Sequence, residues 1–267
     1  MHQLFRPSAS SGRSARYVFV GGLHRSGTTL VADRLGAAPE IGAIRDAPVP
    51  EQEGVYLQGA IPHGAQNGIP GRFAFDPAQH LTEDSAFNTH EVARRIAAEW
   101  DGWFPADTAL RIEKSPVNLL RSRLYQCLFP TAMFVFVVRH PLAVARATTK
   151  WTDQSEAELL AHWSHAHSLL LDDLPHLHNY AIVRYEDLTA DPAGQLARLS
   201  ALTGVAIPPP ATEIGNRNDR YTGAAADPAG PIASRFGYGR DLRDVGPVAI
   251  TMGRHYFRSV TDRLVSR

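Results

Sequence analysis

Residues 17–30, YVFVGGLHRSGTTL, run from an apolar strand through Gly22-x4-Gly27-Thr28-Thr29 into the start of an apolar helix. A strand, a glycine-framed turn and a helix start form the frame of a phosphate-binding loop, where backbone N–H groups at a helix N-terminus cradle an anion. In the nucleotide-hydrolysing pattern G-x-x-x-x-G-K-[ST], the lysine after the second glycine reaches the β and γ phosphates. Thr28 stands at that position here, and the cation of the loop, Arg25, precedes the glycine. N–H groups from Arg25 to Thr29, two threonine hydroxyls and the Arg25 guanidinium suit a terminal phosphate or sulfate group. They are not built to grip a γ-phosphate.

Outward from this loop, three further apolar runs rich in β-branched or aromatic residues read as strands: Ala109 to Ile112, Met133 to Val138 and Tyr180 to Val183, beside Tyr17 to Gly21. Near-continuous apolar runs of this length suit a parallel sheet covered on both faces. Helices are expected at Thr28–Leu35, Thr89–Trp100, Val117–Leu128, Leu142–Lys150, Ser155–Leu174, Pro192–Thr203 and Val248–Leu264. Alternating strands and helices imply a three-layer α/β/α fold around a central parallel sheet, with ligands at the carboxyl ends of the strands. The 22–29 loop, Glu113-Lys114-Ser115, Arg139 and Arg184 to Asp187 all fall there. Two segments break the rhythm: residues 47–77 contain ten Gly and Pro, and 204–240 contain eleven. Loops this long inside a compact domain are binding loops, lids or disordered segments.

Composition bounds the partners. The chain of 267 residues carries 27 Lys plus Arg and 27 Asp plus Glu, and this zero balance argues against nucleic acid or an anionic membrane surface. Any anion site must be made locally. The single cysteine, Cys127, excludes an intramolecular disulfide and a cysteine-rich zinc site and fits a reducing, cytoplasmic setting. Apolar stretches such as Ala132 to Val138 are too short for a transmembrane segment. Residues 1–16 are Ser- and Arg-rich and acid-free, which superficially resembles an organelle transit peptide. Because the loop strand starts at Tyr17, they read instead as a disordered cytosolic tail before one domain at 17–267. The sequence leaves room for a homo-oligomer.

A magnesium site in a phosphate-loop nucleotidase needs an aspartate ending a hydrophobic strand. Met133 to Val138 ends instead in Arg139-His140-Pro141, a positive tip that repels a metal and invites a second anion. Glu186-Asp187 is the remaining place for magnesium. The histidines at 162, 165, 167, 176 and 178 lack cysteine partners and an H-E-x-x-H pattern, so no metal is expected from them. Trp163, Leu159, Leu170 and Leu174 look like the core stripe of their helix.

Two anion sites on neighbouring strand tips imply a ligand with two separate charged groups. Here the chain resembles the sulfotransferases that use 3'-phosphoadenosine 5'-phosphosulfate, over most of residues 17–205. The resemblance rests on G-L-H-R-S-G-T-T, on E-K-S-P-V-N-L-L-R at 113–121, on L-F-P-T-A-M-F-V-F-V-V-R-H-P at 128–141 and on R-Y-E-D-L at 184–188. Glu51-Gln52-Glu53-Gly54 followed by Leu57-Gln58, with Gly-Arg-Phe-Ala-Phe from 71, is similar to a bacterial and plant branch of that family; a more distant similarity is to tyrosylprotein sulfotransferases.

The resemblance implies a phosphate-loop-like fold and a donor whose 5'-phosphosulfate is held by Arg25, Ser26, Gly27, Thr28 and Thr29, with His24 adjoining. It implies Arg139 for the 3'-phosphate. A serine that the family places eight residues beyond that arginine is Ala147 here, leaving Thr148 as the neighbouring hydroxyl. Lys114 matches a lysine facing the reacting sulfuryl group or its acceptor. Arg235, in Ser234-Arg235-Phe236-Gly237-Tyr238-Gly239, is a candidate for the late basic loop that closes the nucleotide site, although the R-K-G-x-x-G of the cytosolic enzymes is absent. Tyr185 either shapes the pocket or is a buried tyrosine bonded to the backbone.

Sulfuryl transfer resembles phosphoryl transfer: attack is in line, and cations and N–H groups must be aimed where charge develops. Arg25 and Lys114 are the candidates for that role. A hydroxyl acceptor also needs a general base within hydrogen-bond reach. Asp46, Glu51, Glu53 and His24 qualify, and Glu53 is favoured because a carboxylate in a Gly/Pro-rich loop gains pKa on partial burial. The sequence therefore points to metal-independent transfer from this donor to a hydroxyl of a small-molecule, glycan or lipid acceptor. A phosphate-loop kinase or nucleotidase, and a non-catalytic nucleotide-binding module, are the alternatives.

Overall fold

The computed structural model describes residues 15–106, 108, 110–221, 230–248 and 252–254. Its centre is β1 (Arg16–Gly22), whose side chains alternate between two separate cores. Tyr17 and Phe19 enter one core, and Val18 and Val20 the other. This alternation on a strand that is apolar from Tyr17 onward forces cover on both faces. The first helix, α1 (Thr28–Leu35), supplies Val31 and Leu35 to the Val18 side.

Downstream come β2 (Ile41–Ala43), α2 (His90–Asp101), β3 (Leu110–Lys114), α3 (Asn118–Leu128), β4 (Met133–Val138), α4 (Pro141–Thr148), α5 (Glu156–Asp173), β5 (Asn179–Arg184), α6 (Tyr185–Ala190), α7 (Pro192–Thr203), α8 (Gly230–Arg235) and β6 (Met252–Arg254). The strands lie in the order β2-β3-β1-β4-β5-β6. Val18 pairs with Ile112 on one side and Met133 on the other, and the five strands β1 to β5 run parallel. Trp100, Leu119, Tyr125, Trp163 and Leu170 cover the Phe19 face, while Leu188, Leu196 and Leu199 cover the Val18 face. The architecture is a three-layer α/β/α sandwich, as expected from the alternation of strands and helices.

Helix starts follow local chemistry. Thr89 caps α2 by accepting the Val92 N–H at 3.2 Å, and Ser155 with Glu158 forms a capping box on α5. The stripe Leu159, Trp163, Leu170 and Leu174 is buried.

Several expectations need correction. Residues 252–254, placed in a helix over 248–264, form the edge strand β6 antiparallel to β5, so the sheet is mixed at that edge. The rest of that span, apart from Val248, lies outside the described residues, as do Ala109 and residues 1–14. Arg16, assigned to the tail, already pairs in β1 with Leu110. The helix expected to reach Lys150 ends at Thr148, and a single 3-10 turn follows at Thr149–Trp151. The Gly/Pro-rich stretch from 47 is a chain of short 3-10 turns packed onto the molecule, with Val55, Ile61 and Phe73 in the core.

Parallel pairing brings the ends of β1, β3, β4 and β5 to one edge. The 22–27 loop, Lys114, Arg139 and Arg184 gather there. The helix α3 lies so close beneath β1 that a Cβ on Gly21 would stand 2.6 Å from the Leu119 backbone nitrogen. Gly21→Ala is expected to destabilise the fold by about 1–3 kcal/mol through forced backbone displacement, read as a lower urea midpoint with unchanged slope.

Candidate functional site

The loop after β1 turns on two residues with positive φ, Arg25 (67°) and Gly27 (102°). Gly27 precedes α1, whose first turn has no side-chain cap. Among the described residues, no side chain caps the opening N–H groups, and the first turn carries no acidic residue. The positive φ favours glycine at 27, and a Cβ there would also crowd the Tyr185 ring at 3.1 Å. Thr28 is buried and Thr29 exposed. Ser26 lies in the turn, buried. Its N–H and its hydroxyl both donate to the Leu23 carbonyl, so the side chain holds the turn from inside.

Arg25 points out of the loop. Its guanidinium rests 4.6 Å from the centroid of the Trp151 ring, which is 53% exposed. The Arg25 carbonyl instead accepts a hydrogen bond from Arg139 Nη1 at 2.9 Å. That bond ties the tip of β4 to the loop after β1. Arg139 is only 6% exposed; its Nε donates to Asn218 at 2.8 Å, and its guanidinium lies 4.3 Å over the Tyr185 ring. Its Nη2 is buried with no partner among the described residues. Burial holds the Arg139 pKa below the ordinary arginine range. A buried guanidinium with an unspent donor beside an uncapped helix start suits an anion.

The tips of β3 and of the 50s segment meet at Lys114. Its Nζ donates to the Glu51 carbonyl at 2.8 Å and lies 3.3 Å from Glu53 Oε1. Both side chains are nearly closed off from solvent. Burial pushes the Glu53 carboxyl up to about 7, against the opposing pull of Lys114. Glu51 and Asp46 are exposed and sit at positive φ, 50° and 55°. His24 lines two clefts, one with Glu53, Phe73 and Val117 and one with Thr148, Val144 and Leu159. Burial and then the Lys114 charge lower its pKa to about 4, and its Nδ1 has no partner among the described residues. At neutral pH it is an uncharged and weakly basic ring. Among the four candidates for a base, Glu53 alone combines burial, a place in the cleft and a pKa near neutrality.

Other expected residues fall differently. The Thr148 hydroxyl donates to the Val144 carbonyl of its own helix at 2.7 Å, which leaves it as a cleft wall beside His24. Arg235 is exposed at the end of α8. The segment after it is anchored by Arg184, whose Nη1 donates to the Phe236 and Gly246 carbonyls at 3.0 and 2.6 Å. Glu186 accepts from the His140 N–H, the Asn218 amide and the Tyr238 hydroxyl, and Asp187 pairs bidentately with Arg184. Both carboxylates are spent on protein donors. Tyr185 serves both readings of it: its hydroxyl bonds the Gly215 and Arg217 backbone while its ring underlies Arg139. His162 accepts the Ala74 N–H and His167 pairs with the Trp163 carbonyl, as core histidines do.

Sequence reasoning passed over Glu113. Fully buried, it accepts from the Gly54 N–H at 2.8 Å, the Ser115 hydroxyl and the Asn118 amide. Its place in E-K-S-P-V-N was the available signal, because Ser115 and Asn118 share that motif. Trp151 and Asn218 had no local signal at all.

The family profile of the sulfotransferases matches residues 17–209, which include the loop, Lys114, Arg139 and Arg184. The chain belongs to the sulfotransferase family. No curated protein sequence matches it. Among solved structures, it is similar in fold to the sulfotransferase domain of the olefin synthase of Synechococcus PCC 7002, at 21% identity and TM-score 0.51, over 99% of this chain and 98% of that one. The sulfotransferase STF9 of Mycobacterium avium aligns at 15% identity and TM-score 0.55, over 90% of this chain and 79% of that one. The sulfotransferase domain from the curacin biosynthetic pathway gives 17% identity and TM-score 0.50, over 74% and 77%. Among the described residues of this sulfotransferase, no helix is long and apolar enough to cross a membrane.

The raised Glu53 pKa carries a stability consequence. The folded state holds this proton more tightly than the unfolded chain, whose value is the ordinary 4.5, so the contribution favours folding below that pH. It is lost as pH rises through about 7. Over that interval, thermal denaturation is expected to show a steeper fall in Tm for the natural protein than for Glu53→Gln. Parallel curves would mean that Glu53 does not titrate there.

Proposed function

We propose that this sulfotransferase, as one domain over residues 17–267, moves the sulfuryl group of 3'-phosphoadenosine 5'-phosphosulfate to a hydroxyl of a small acceptor. The observation that carries the reading is the joint between the two anion-binding elements. Arg139, with a free buried Nη2, is bonded to the carbonyl of Arg25 in the uncapped loop. A donor with a phosphosulfate and a separate 3'-phosphate needs two such elements side by side. The donor supplies the sulfuryl group; the residues supply its placement and the proton path.

In this reading the N–H groups opening α1 and the Thr28 and Thr29 hydroxyls hold the phosphosulfate, and Arg139 holds the 3'-phosphate. Arg25 exchanges the Trp151 ring for the sulfuryl oxygens. Lys114 Nζ stabilises the charge that develops on transfer. Glu53, ionised above about pH 7, takes the proton of the acceptor hydroxyl. Lys114 at 3.3 Å keeps the ionised carboxylate oriented between the loop and the cleft. Arg235 is assigned a closing role over the nucleotide, and Thr148 a wall of the adjoining cleft.

The first test is ligand preference. In the absence of magnesium, 3'-phosphoadenosine 5'-phosphate is expected to raise Tm more than ADP or GDP does, and Arg139→Met to erase the difference. Equal shifts from all three nucleotides would sink the donor assignment. The second test is kinetic. Glu53→Gln is expected to lower kcat by roughly 100- to 10,000-fold while leaving nucleotide stabilisation in place. The rate of the natural protein should rise with pH through about 7, and a rate independent of pH there would exclude Glu53 as base. Transfer of sulfur label from the donor to a metabolite extract, lost in Lys114→Ala and Arg25→Ala, separates an enzyme from a binding module.

A further inference from the structure

The E-K-S-P-V-N-L-L-R stretch ends on Arg121, to which the chemistry above gives no role. Arg121 is 1% exposed on α3, and no carboxylate among the described residues is bonded to it. Burying a guanidinium without a counter-charge is costly, so its contacts need a reason. Its Nη2 reaches His63 Nδ1 at 3.0 Å and Gln79 Oε1 at 2.9 Å, while Nε and Nη1 have no partner among the described residues.

A guanidinium has only donors, so His63 Nδ1 must accept. Burial, and then the Arg121 charge, lower the His63 pKa to about 4, so the ring is neutral at neutral pH. Its single proton is therefore on Nε2. That nitrogen faces Gly68, where a Cβ would lie 3.3 Å from it and 2.9 Å from the Tyr56 hydroxyl. Gly68 and His63 line the same cleft as Glu53, together with Phe73, Pro116 and Val117. With the proton fixed on Nε2, His63 cannot serve as a base toward this cleft. It can only donate.

We propose that Arg121 is a positioning residue that fixes His63 as a hydrogen-bond donor, and that His63 Nε2–H selects acceptors bearing a second, hydrogen-bond-accepting oxygen beside the hydroxyl that is sulfated. This rests on the reading that the Glu53 cleft receives the acceptor. The cleft is a narrow opening between His24, Glu53, His63 and Phe73, which keeps the two oxygens of one ligand close together. A site built around a donor discriminates against an analogue that leaves the donor bare. The apolar walls take the rest of a small, flat or aliphatic body.

The test uses 2-methoxyphenol and 2-ethylphenol, which differ by an ether oxygen in place of a methylene. Calorimetry on the full chain saturated with 3'-phosphoadenosine 5'-phosphate is expected to show roughly five- to tenfold tighter binding of the methoxy compound. His63→Phe brings the ratio to about one, and His63→Gln, which keeps a side-chain N–H, restores part of it. In transfer assays the change is carried by KM. Nitrogen-15 NMR of His63 in the natural protein should show the Nε2–H tautomer, and Arg121→Met should mix the two tautomers. Equal affinities in the natural protein, failure of both phenols to bind, an unchanged ratio in His63→Phe, or an Nδ1–H tautomer would each overturn the proposal. If binding preference and tautomer hold but neither phenol is ever sulfated, the selection by His63 stands and the transfer reading fails.

Discussion

The buried carboxylate of Glu113 is shared among three donors from separate parts of the chain: the Gly54 N–H, the Ser115 hydroxyl and the Asn118 amide. A carboxylate with no solvent is tolerable only when its oxygens are spent in this way. Burial still raises its pKa, against the lowering effect of those donors. The bond to Gly54 clamps the 50s segment onto β3, and the neighbours of the two clamped residues are Glu53 and Lys114. Their approach to 3.3 Å is thus a consequence of the contact beside it. Trp100 closes the clamp from behind by donating its indole N–H to the Gly54 carbonyl at 2.8 Å. No side chain fits at 54, because a Cβ would stand 2.5 Å from Glu113 Cγ.

The strand tips then divide the electrostatic work. On the β4 and β5 side, Arg184 is paired with Asp187 and Glu186 is satisfied by neutral donors, with one Arg139 donor left over. On the β3 side, Lys114 faces a carboxylate whose charge is disfavoured by burial. The net effect is positive character toward the loop and a proton acceptor near neutrality toward the cleft. Phe73 bounds both ends, packing edge-on against His24 and His162.

The architecture was legible because it is written in runs. β1, β4 and β5 carry the unbroken apolar runs 17–22, 133–138 and 180–183, and α7 begins and ends where Pro192 and Thr203 suggested. The three-residue strand Ile41–Ala43 is too short to show a period, and it exists through its pairing with β3. The strand at Met252–Arg254 lay inside a pattern read as helical, and its pairing with β5 overrides that local preference. At the site, motif spacing placed Arg25, Lys114 and Arg139 on one edge. It could not show that Arg25 lies on Trp151, that Ser26 turns inward, or that a glutamate 61 positions away reaches Lys114. These are contacts between distant segments. Periodicity in a single chain carries no record of them.

The family match ends at residue 209, but the hydrogen bonds do not. Arg139 bonds Asn218, Glu186 bonds Asn218 and Tyr238, and Arg184 bonds the carbonyls of Phe236 and Gly246. Each is a buried charged group at a strand tip that finds its partners in the later chain. A fragment cut at the family boundary would keep every signature motif and still strip two guanidiniums and a carboxylate of part of their hydrogen bonds. The boundary of recognisable ancestry and the boundary of the physical unit are therefore different, and designs that graft or trim this domain need to respect the second.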